Sequence, residues 1–142
     1  MNLKKETEIN MNSKDADAYN EDLRASKNYS RLMKSFDKNS KDADAHTRDV
    51  FDRIISVLKT LNIKECIAQY SKLAEMIDIN IVLTDGYRLT IAKSIDDFSD
   101  FSDVQFIVSD GKNVIEAGEL TPKQLVRNLY CSIIKDKNLV YK

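Results

Sequence analysis

Two Asp-Gly pairs, each set between runs of alternating apolar residues, constrain the fold of this chain most strongly. They are Asp85-Gly86 and Asp110-Gly111. An Asp-Gly pair between alternating runs is a strong signal for a β-hairpin, because glycine adopts the positive φ that a tight turn requires. The sequence therefore predicts two hairpins. The alternating positions are Ile79, Ile81, Leu83, Leu89 and Ile91 around the first pair, and Val104, Phe106, Val108, Val114 and Ile115 around the second.

Each predicted hairpin is followed by a helix-start signal. Ser94 with Asp97 three residues later resembles a capping box, and Thr121-Pro122 with Gln124 adds proline at the first helical position. The second signal opens a helix predicted over residues 122–136. The result is a ββαββα unit with a four-stranded antiparallel sheet covered by helices on one face. We expect Val104, Phe106, Leu125, Leu129 and Ile133 to be buried together.

The N-terminal half carries a repeat at helix-start positions. The segment 13–19 recurs almost unchanged as 40–46, and each copy begins with a serine followed by acidic residues and alanines. Serine caps and early aspartates are typical of helix N-termini. Apolar spacing then predicts helices over 14–37, 41–61 and 64–77. The last two are separated by a very short connection, which predicts an αα-hairpin.

The chain is thus predicted to be an α+β protein in three parts. These are a disordered arm over 1–12, a helical region over 13–77 and an acidic ββαββα domain over 78–142. We see neither a signal peptide nor an apolar run of about 18–20 residues, so we expect a cytoplasmic protein. Cys66 and Cys131 lack any metal-ligand spacing and are expected to be reduced. The Lys, Asn, Ile and Asp usage suggests a low-G+C bacterium, phage or plasmid.

Charge is distributed unevenly along the chain. The net charge of −1 excludes a global basic field of the kind that holds nucleic acid. Residues 78–120 nevertheless contain nine acidic side chains and three basic ones. We expect the acids of this stretch to form a partner-binding face. Its candidate residues are Asp96, Asp97, Asp100, Asp103, Asp110, Glu116 and Glu119.

An acidic face is typically a solvated surface, and that remains one explanation of this stretch. The other is a surface complementary to a basic groove, since electrostatic complementarity accelerates encounter with a basic partner. On that basis we expect a non-enzymatic protein-binding module, which binds and inhibits a basic nucleic-acid-handling protein such as a nuclease by mimicking nucleic acid. Such an anti-defence inhibitor would be carried by a phage or another mobile element.

Catalytic and metal-binding patterns are weak. The lone histidine, His46, lies at a predicted helix start without a nucleophile in a recognisable motif. The carboxylates over 96–103 do not fit a calcium-binding loop, because neither register places glycine at the sixth position. Asp85 and Asp110 are explained by their turns. We therefore expect no enzymatic activity, no cofactor and no metal ion.

The alternative function is a nucleic-acid-binding regulator. It would use a helix-turn-helix over residues 50–77, with the helix over 64–77 reading the bases. The outward residues of that helix are mixed in charge, whereas phosphate contacts require an excess of lysine and arginine on one face. A packed helical pair is therefore preferred, and direct binding of nucleic acid by this protein is not expected. An enzyme of unfamiliar type is the third possibility.

Overall fold

The chain folds as an α+β structure in which helices cover one face of an antiparallel sheet. The computed structural model describes residues 13–95 and 103–129, with side chains from residue 20 onward. In those residues there are three helices and five strands, and the strands follow one another across the sheet in chain order. The elements are α1 Ser13–Asn39, α2 Ala45–Leu58, β1 Ile63–Ser71, β2 Met76–Leu83, β3 Arg88–Ser94, β4 Val104–Ser109, β5 Val114–Leu120 and α3, described over 122–129.

Both predicted hairpins are confirmed. The β2–β3 turn contains Gly86 at φ +91°, and the β4–β5 turn contains Gly111 at φ +97°. The capping box of α3 is also confirmed: Gln124 N donates to Thr121 Oγ1 at 3.2 Å, and Thr121 N donates to Gln124 Oε1 at 3.2 Å. The helix predicted to begin at Ser94 falls on residues 96–102, outside the described part of the chain.

The helix predicted over 64–77 is wrong. Residues 63–71 form β1, which pairs antiparallel with β2, so the sheet has five strands instead of four and the order of elements is not ββαββα. The expected domain division at 77/78 consequently falls inside β2. Helix-forming residues occupy this segment, but pairing with β2 and packing against α1 outweigh their local preference. Leu73, which the helical pattern assigned to the core, is 99% exposed.

The β1–β2 connection explains why the strand was missed. Its turn lacks glycine, proline, asparagine and aspartate, and the left-handed position at φ 51° is occupied by Glu75. Few non-glycine residues adopt this conformation. The turn is held by Ala74 N, which donates to Ser71 Oγ at 3.3 Å, and by Ile95 N, which donates to Glu75 O at 2.9 Å. Tertiary contacts therefore fix a turn for which the local sequence gives no signal.

Alternate residues of the strands face the helices and form one core. Val104, Phe106, Leu125 and Leu129 are buried together as predicted, whereas Ile133 lies outside the described residues. α1, α2 and α3 all contribute to this cluster, so all three pack on the same face of the sheet. The sheet residues at its centre are Ile77, Ile79, Ile81, Leu89, Ile91 and Val108.

α1 and α2 are joined by ring packing and buried polar contacts. The rings of Phe36 and Phe51 stack with centroids 3.9 Å apart, and both side chains are fully buried. The Tyr29 hydroxyl donates to Asp52 Oδ1, and this hydrogen bond raises the pKa of the tyrosine. Asn28, which is 2% exposed, donates to two backbone carbonyls just beyond α2. The helical pair is thereby fixed to the start of β1.

α1 also covers the outer edge of β1. Ala68 N donates to Ser35 Oγ at 2.9 Å, Asn39 Nδ2 donates to Ala68 O at 3.3 Å, and Tyr70 N donates to Ser40 Oγ at 2.9 Å. An exposed strand edge is a template for aggregation, and side chains that satisfy its backbone groups remove that hazard. A polar row on a helix therefore completes this edge of the sheet.

The prediction that Ser40 caps α2 is wrong, because its hydroxyl accepts the hydrogen bond from Tyr70 N at this strand edge. The helix begins at Ala45, and Asp44 is its N-cap, with Oδ1 accepting from Thr47 N at 2.8 Å. That backbone hydrogen bond holds the pKa of Asp44 below its usual value. The first copy of the repeat lies in the first turn of α1, where the helix predicted over 14–37 runs from Ser13 to Asn39.

Candidate functional site

The predicted acidic residues do not all lie on one face of the sheet. Asp103 precedes β4, and Glu119 lies opposite Gln105, so these two acids are at the same end of the β4–β5 pair. Asp110 is at the opposite end, about 20 Å away along the strand. Glu116 is opposite Val108 on the helix-covered face, whereas Glu119 is on the other face. Asp96, Asp97 and Asp100 lie outside the described residues.

Asp110 has a local structural role. Its Oδ1 accepts from Lys112 N and from Asn113 N, both at 2.8 Å. These backbone N–H groups, that of Asn113 above all, hold the pKa of the carboxyl below its usual range. The geometry is that of an Asx turn, in which an aspartate completes the turn that it begins. The turn explanation given by the sequence accounts for this carboxylate.

Asp103 is positioned by a residue that the sequence did not single out. Lys93 in β3 is 5% exposed and points to the helix-covered face, and its Nζ donates to Asp103 O at 2.9 Å. A buried ammonium group is costly to desolvate unless it is hydrogen-bonded. Lys93 therefore fixes the backbone where the chain re-enters the sheet. The alternation of Leu89 and Ile91 predicts an apolar residue at position 93. A lysine at this position was the sequence signal that could have identified a buried polar contact.

The other face of the sheet is covered by no described element. Register places Glu65, Asp78 and Glu119 on this open face, together with a single base, Arg88. At its two sides Ile67 and Ile107 are 58% and 45% exposed. The remaining open-face residues are Gln69, Ser71, Met76, Asn80, Val82, Thr90, Ala92, Ser94, Gln105, Ser109, Val114 and Ala117.

A shallow depression of about 510 Å³ lies on the open face where β3, β4 and β5 meet. Thr90, Ala92 and Gln105 line one part of it, and Ile107 and Glu119 line another. Gly118 also borders it, although the register with Phe106 puts the Cβ direction of this glycine on the helix-covered face, so the small side chain on the open face is that of Ala92. Small residues thus leave a mostly apolar hollow with a carboxylate at its edge, which is suited to an apolar side chain flanked by a cation.

Asp78 lies between the two exposed isoleucines in the strand order of the open face. It is half-buried, and this burial raises the pKa of its carboxyl. A partly desolvated carboxylate gains more from a cationic partner than a solvated one does, because the local dielectric constant is lower. The open face therefore combines acid with apolar surface.

Comparisons with models of known protein families, with curated proteins and with solved structures find no match. The site is accordingly described from its own geometry. Across residues 13–95 and 103–129, no helix combines the length and the apolarity needed to cross a membrane.

The described residues do not assemble a recognisable catalytic or metal-binding group. Within them, no three histidine, cysteine, aspartate or glutamate side chains converge in a way that could hold a metal ion. His46 is exposed in the first turn of α2. Cys66 is partly buried, and burial raises the pKa of its thiol against the opposing effect of Arg31. A reactive thiol requires a lowered pKa, so this cysteine is not an activated nucleophile.

A basic stripe on α1 was missed from the sequence. It consists of Arg24, Lys27, Arg31, Lys34 and Lys38, which recur at intervals of three and four residues along the helix. Residues 1–49 contain ten basic and ten acidic side chains, and this balance masks the arrangement. The helical spacing of the bases was the signal that could have found it.

The helix-turn-helix predicted over 50–77 does not form. α2 ends at Leu58, and β1 occupies the residues that the second, base-reading helix required. Lys64, Glu65 and Gln69 therefore lie on a strand, not on a helix that could enter a groove. In the described residues this segment therefore has no second helix with which to read bases.

Proposed function

We propose that this chain is a non-enzymatic protein-binding module that docks its open sheet face on a basic surface of a nucleic-acid-handling protein. The observation that supports this proposal is the composition of the face. Three acids and one base flank exposed isoleucines on the side of the sheet that no described helix covers. Interfaces of this kind combine an apolar centre for affinity with charges that steer encounter.

The narrower form of the proposal is inhibition by occupying a nucleic-acid channel. Carboxylates spaced across a twisted sheet can substitute for phosphates against lysine and arginine. Asp103, beside Glu119 at the end of the sheet, extends the acidic surface, and Asp96, Asp97 and Asp100 belong to it on sequence grounds alone. An inhibitor of this type from a mobile element would act on a nuclease.

Neutralising the open face should slow association. The variant Glu65→Gln, Asp78→Asn, Glu119→Gln removes three charges while preserving side-chain size. We expect the association rate with the partner captured from a host lysate to fall about three- to tenfold at low salt, because charges at an interface act mainly by steering. The difference should shrink near 1 M salt, where the Debye length is only about 3 Å. Surface plasmon resonance at two salt concentrations measures both effects.

A matched control carries the same loss of charge elsewhere. Glu21→Gln, Asp22→Asn, Asp42→Asn alters three exposed acids on the helical side of the molecule, outside the open face. Its association rate should stay within about twofold of the wild type, because these charges are remote from the interface. Equal slowing in both triple variants would mean that overall charge, and not the open face, governs binding. Unchanged rates in both would show that the open face is only a solvated surface.

A further inference from the structure

The basic stripe of α1 forms a continuous row of charge. Its five residues occupy one side of the helix, because residues three and four apart are neighbours on a helical surface. From Arg24 to Lys38 the row extends about 21 Å at a rise of about 1.5 Å per residue. Asp22 and Asp37 project from other sides of the helix, and Asp37 is paired with Arg48. Lys27, Arg31, Lys34 and Lys38 are all exposed.

A depression of about 330 Å³ lies at the N-terminal end of the stripe. Arg24, Lys27 and Arg31 line it together with Asn20 and Asn28. The guanidinium of Arg31 is fixed by the carbonyl oxygens of Ile63 and Lys64, at 3.2 and 2.6 Å, so its charge is held at this place. Arg24 Nε is buried and has no acceptor among the described residues. The hollow therefore concentrates positive charge and donors that suit an anion.

We infer that the basic stripe of α1 binds the sugar–phosphate backbone of a single-stranded nucleic acid. Successive basic side chains of the stripe are separated by about 4.5 or 6 Å along the helix axis. A flexible single-stranded nucleic acid, which carries one phosphate per nucleotide, can therefore contact them one after another. Among the described residues no aromatic side chain belongs to the stripe, so the contact is with phosphate and is independent of sequence. The arginine guanidinium can donate two hydrogen bonds to one phosphate, and the lysine ammonium supplies a compact positive charge.

This inference does not rest on the proposed function, because it concerns α1 and not the open face. It also differs from the helix-turn-helix alternative. Here α1 contacts the backbone of a single-stranded nucleic acid along its length, and no helix enters the groove of a duplex. A polypeptide rich in glutamate is the competing occupant. A nucleic acid is favoured because each phosphate is part of the backbone and accepts charge-assisted hydrogen bonds directly, whereas a glutamate carboxylate stands on a flexible side chain whose ordering costs entropy.

The test is the binding of a fluorescent oligothymidine of about 16 nucleotides to the full chain, followed by anisotropy over a series of salt concentrations. With five phosphate contacts, the slope of log affinity against log salt should be about −3.5. Affinity should then fall about 100-fold between about 50 mM and about 200 mM salt. The variant Lys27→Gln, Lys34→Gln, Lys38→Gln should reduce the slope to about −1.4 and weaken binding at least about tenfold at low salt.

The control variant Lys72→Gln, Lys112→Gln, Lys123→Gln removes three exposed lysines outside the stripe and should bind within about twofold of the wild type. Circular dichroism verifies that both variants are folded. An equal loss in both variants, or no binding by the wild type at about 50 mM salt, would overturn the inference. A polyglutamate competitor that displaces the oligonucleotide at equal charge concentration would overturn it in favour of an acidic polypeptide. Weak displacement by polyglutamate supports it.

Discussion

Replacing Phe36 with alanine is expected to lower the free energy of unfolding by about 3–5 kcal/mol. The ring is fully buried and stacks on Phe51, so its removal leaves a cavity between α1, α2 and the sheet. Domains of this size are stable by only about 5–15 kcal/mol. We therefore expect a large shift of the urea midpoint in a transition that remains cooperative, because both helices share one core with the strands.

The matched control for Phe36→Ala is Leu73→Ala. Leu73 would be a core residue if residues 64–77 formed a helix, but it is 99% exposed in the β1–β2 turn. Its replacement should change stability by no more than about 0.5 kcal/mol. Separate unfolding of helices and sheet in Phe36→Ala, or strong destabilisation by Leu73→Ala, would contradict the fold described here. Urea denaturation followed by circular dichroism gives both results.

Replacing Asn28 with aspartate is expected to destabilise the protein by about 1–3 kcal/mol near neutral pH, the cost of leaving buried acceptors without their donor, because Arg24, Lys27 and Arg31 in the adjoining hollow offset part of the new charge. The amide Nδ2 of Asn28 donates to the carbonyl oxygens of Lys59 and Leu61, at 3.0 and 2.7 Å. A carboxylate at this position has no hydrogen to donate and faces two acceptors. The variant therefore loses the contacts that hold α1 against the end of α2.

The destabilisation by Asn28→Asp should depend on pH in a defined direction. Burial and the two facing carbonyl oxygens, to one of which only the protonated carboxyl can donate, raise the folded pKa of the new carboxyl above the unfolded value of about 3.9, against the opposing effect of Arg24, Lys27 and Arg31. The free energy of unfolding that the variant loses relative to the wild type is then smallest below the unfolded pKa. It grows as the pH rises towards the folded pKa. Asn62→Asp, an exposed change in the following loop, should show neither effect. A pH-independent loss would contradict this explanation.

The parts of the fold that were predicted correctly have local signals. Gly86 and Gly111 adopt the positive φ of the hairpin turns, and Thr121 with Gln124 forms a reciprocal cap. Each of these features depends on residues within a few positions of one another. α2 was also predicted, because its buried residues follow the helical period without interruption.

The parts that were missed depend on contacts distant in sequence. Apolar residues of β1 and its turn, among them Ile67, Tyr70 and Leu73, follow a helical spacing. What makes the segment a strand is pairing with β2 and the cover that Ser35 and Asn39 give to its edge. No periodic pattern reports such side-chain contacts. Tertiary structure therefore overrides local preference here.

The candidate acidic face was incomplete for a geometric reason. Glu116 and Glu119 are three positions apart, an odd number, so strand alternation places them on opposite faces. Asp103 and Asp110 stand at opposite ends of β4. Residues three positions apart are neighbours on a helix, but on a strand they point to opposite faces. Glu65 and Asp78 were left out because β1 and its pairing with β2 were not foreseen.

The most direct test of the proposed binding surface is methyl NMR of the isoleucine-labelled protein with the captured partner. Ile67 and Ile107 lie on the open face, whereas Ile79 and Ile91 are buried on the helix-covered face and serve as internal references. We predict that partner binding shifts the methyl signals of Ile67 and Ile107 and protects them from a soluble paramagnetic probe, while the reference signals stay in place. If the partner binds but the methyl signals of Ile67 and Ile107 neither shift nor become protected from the probe, docking through the open face is contradicted.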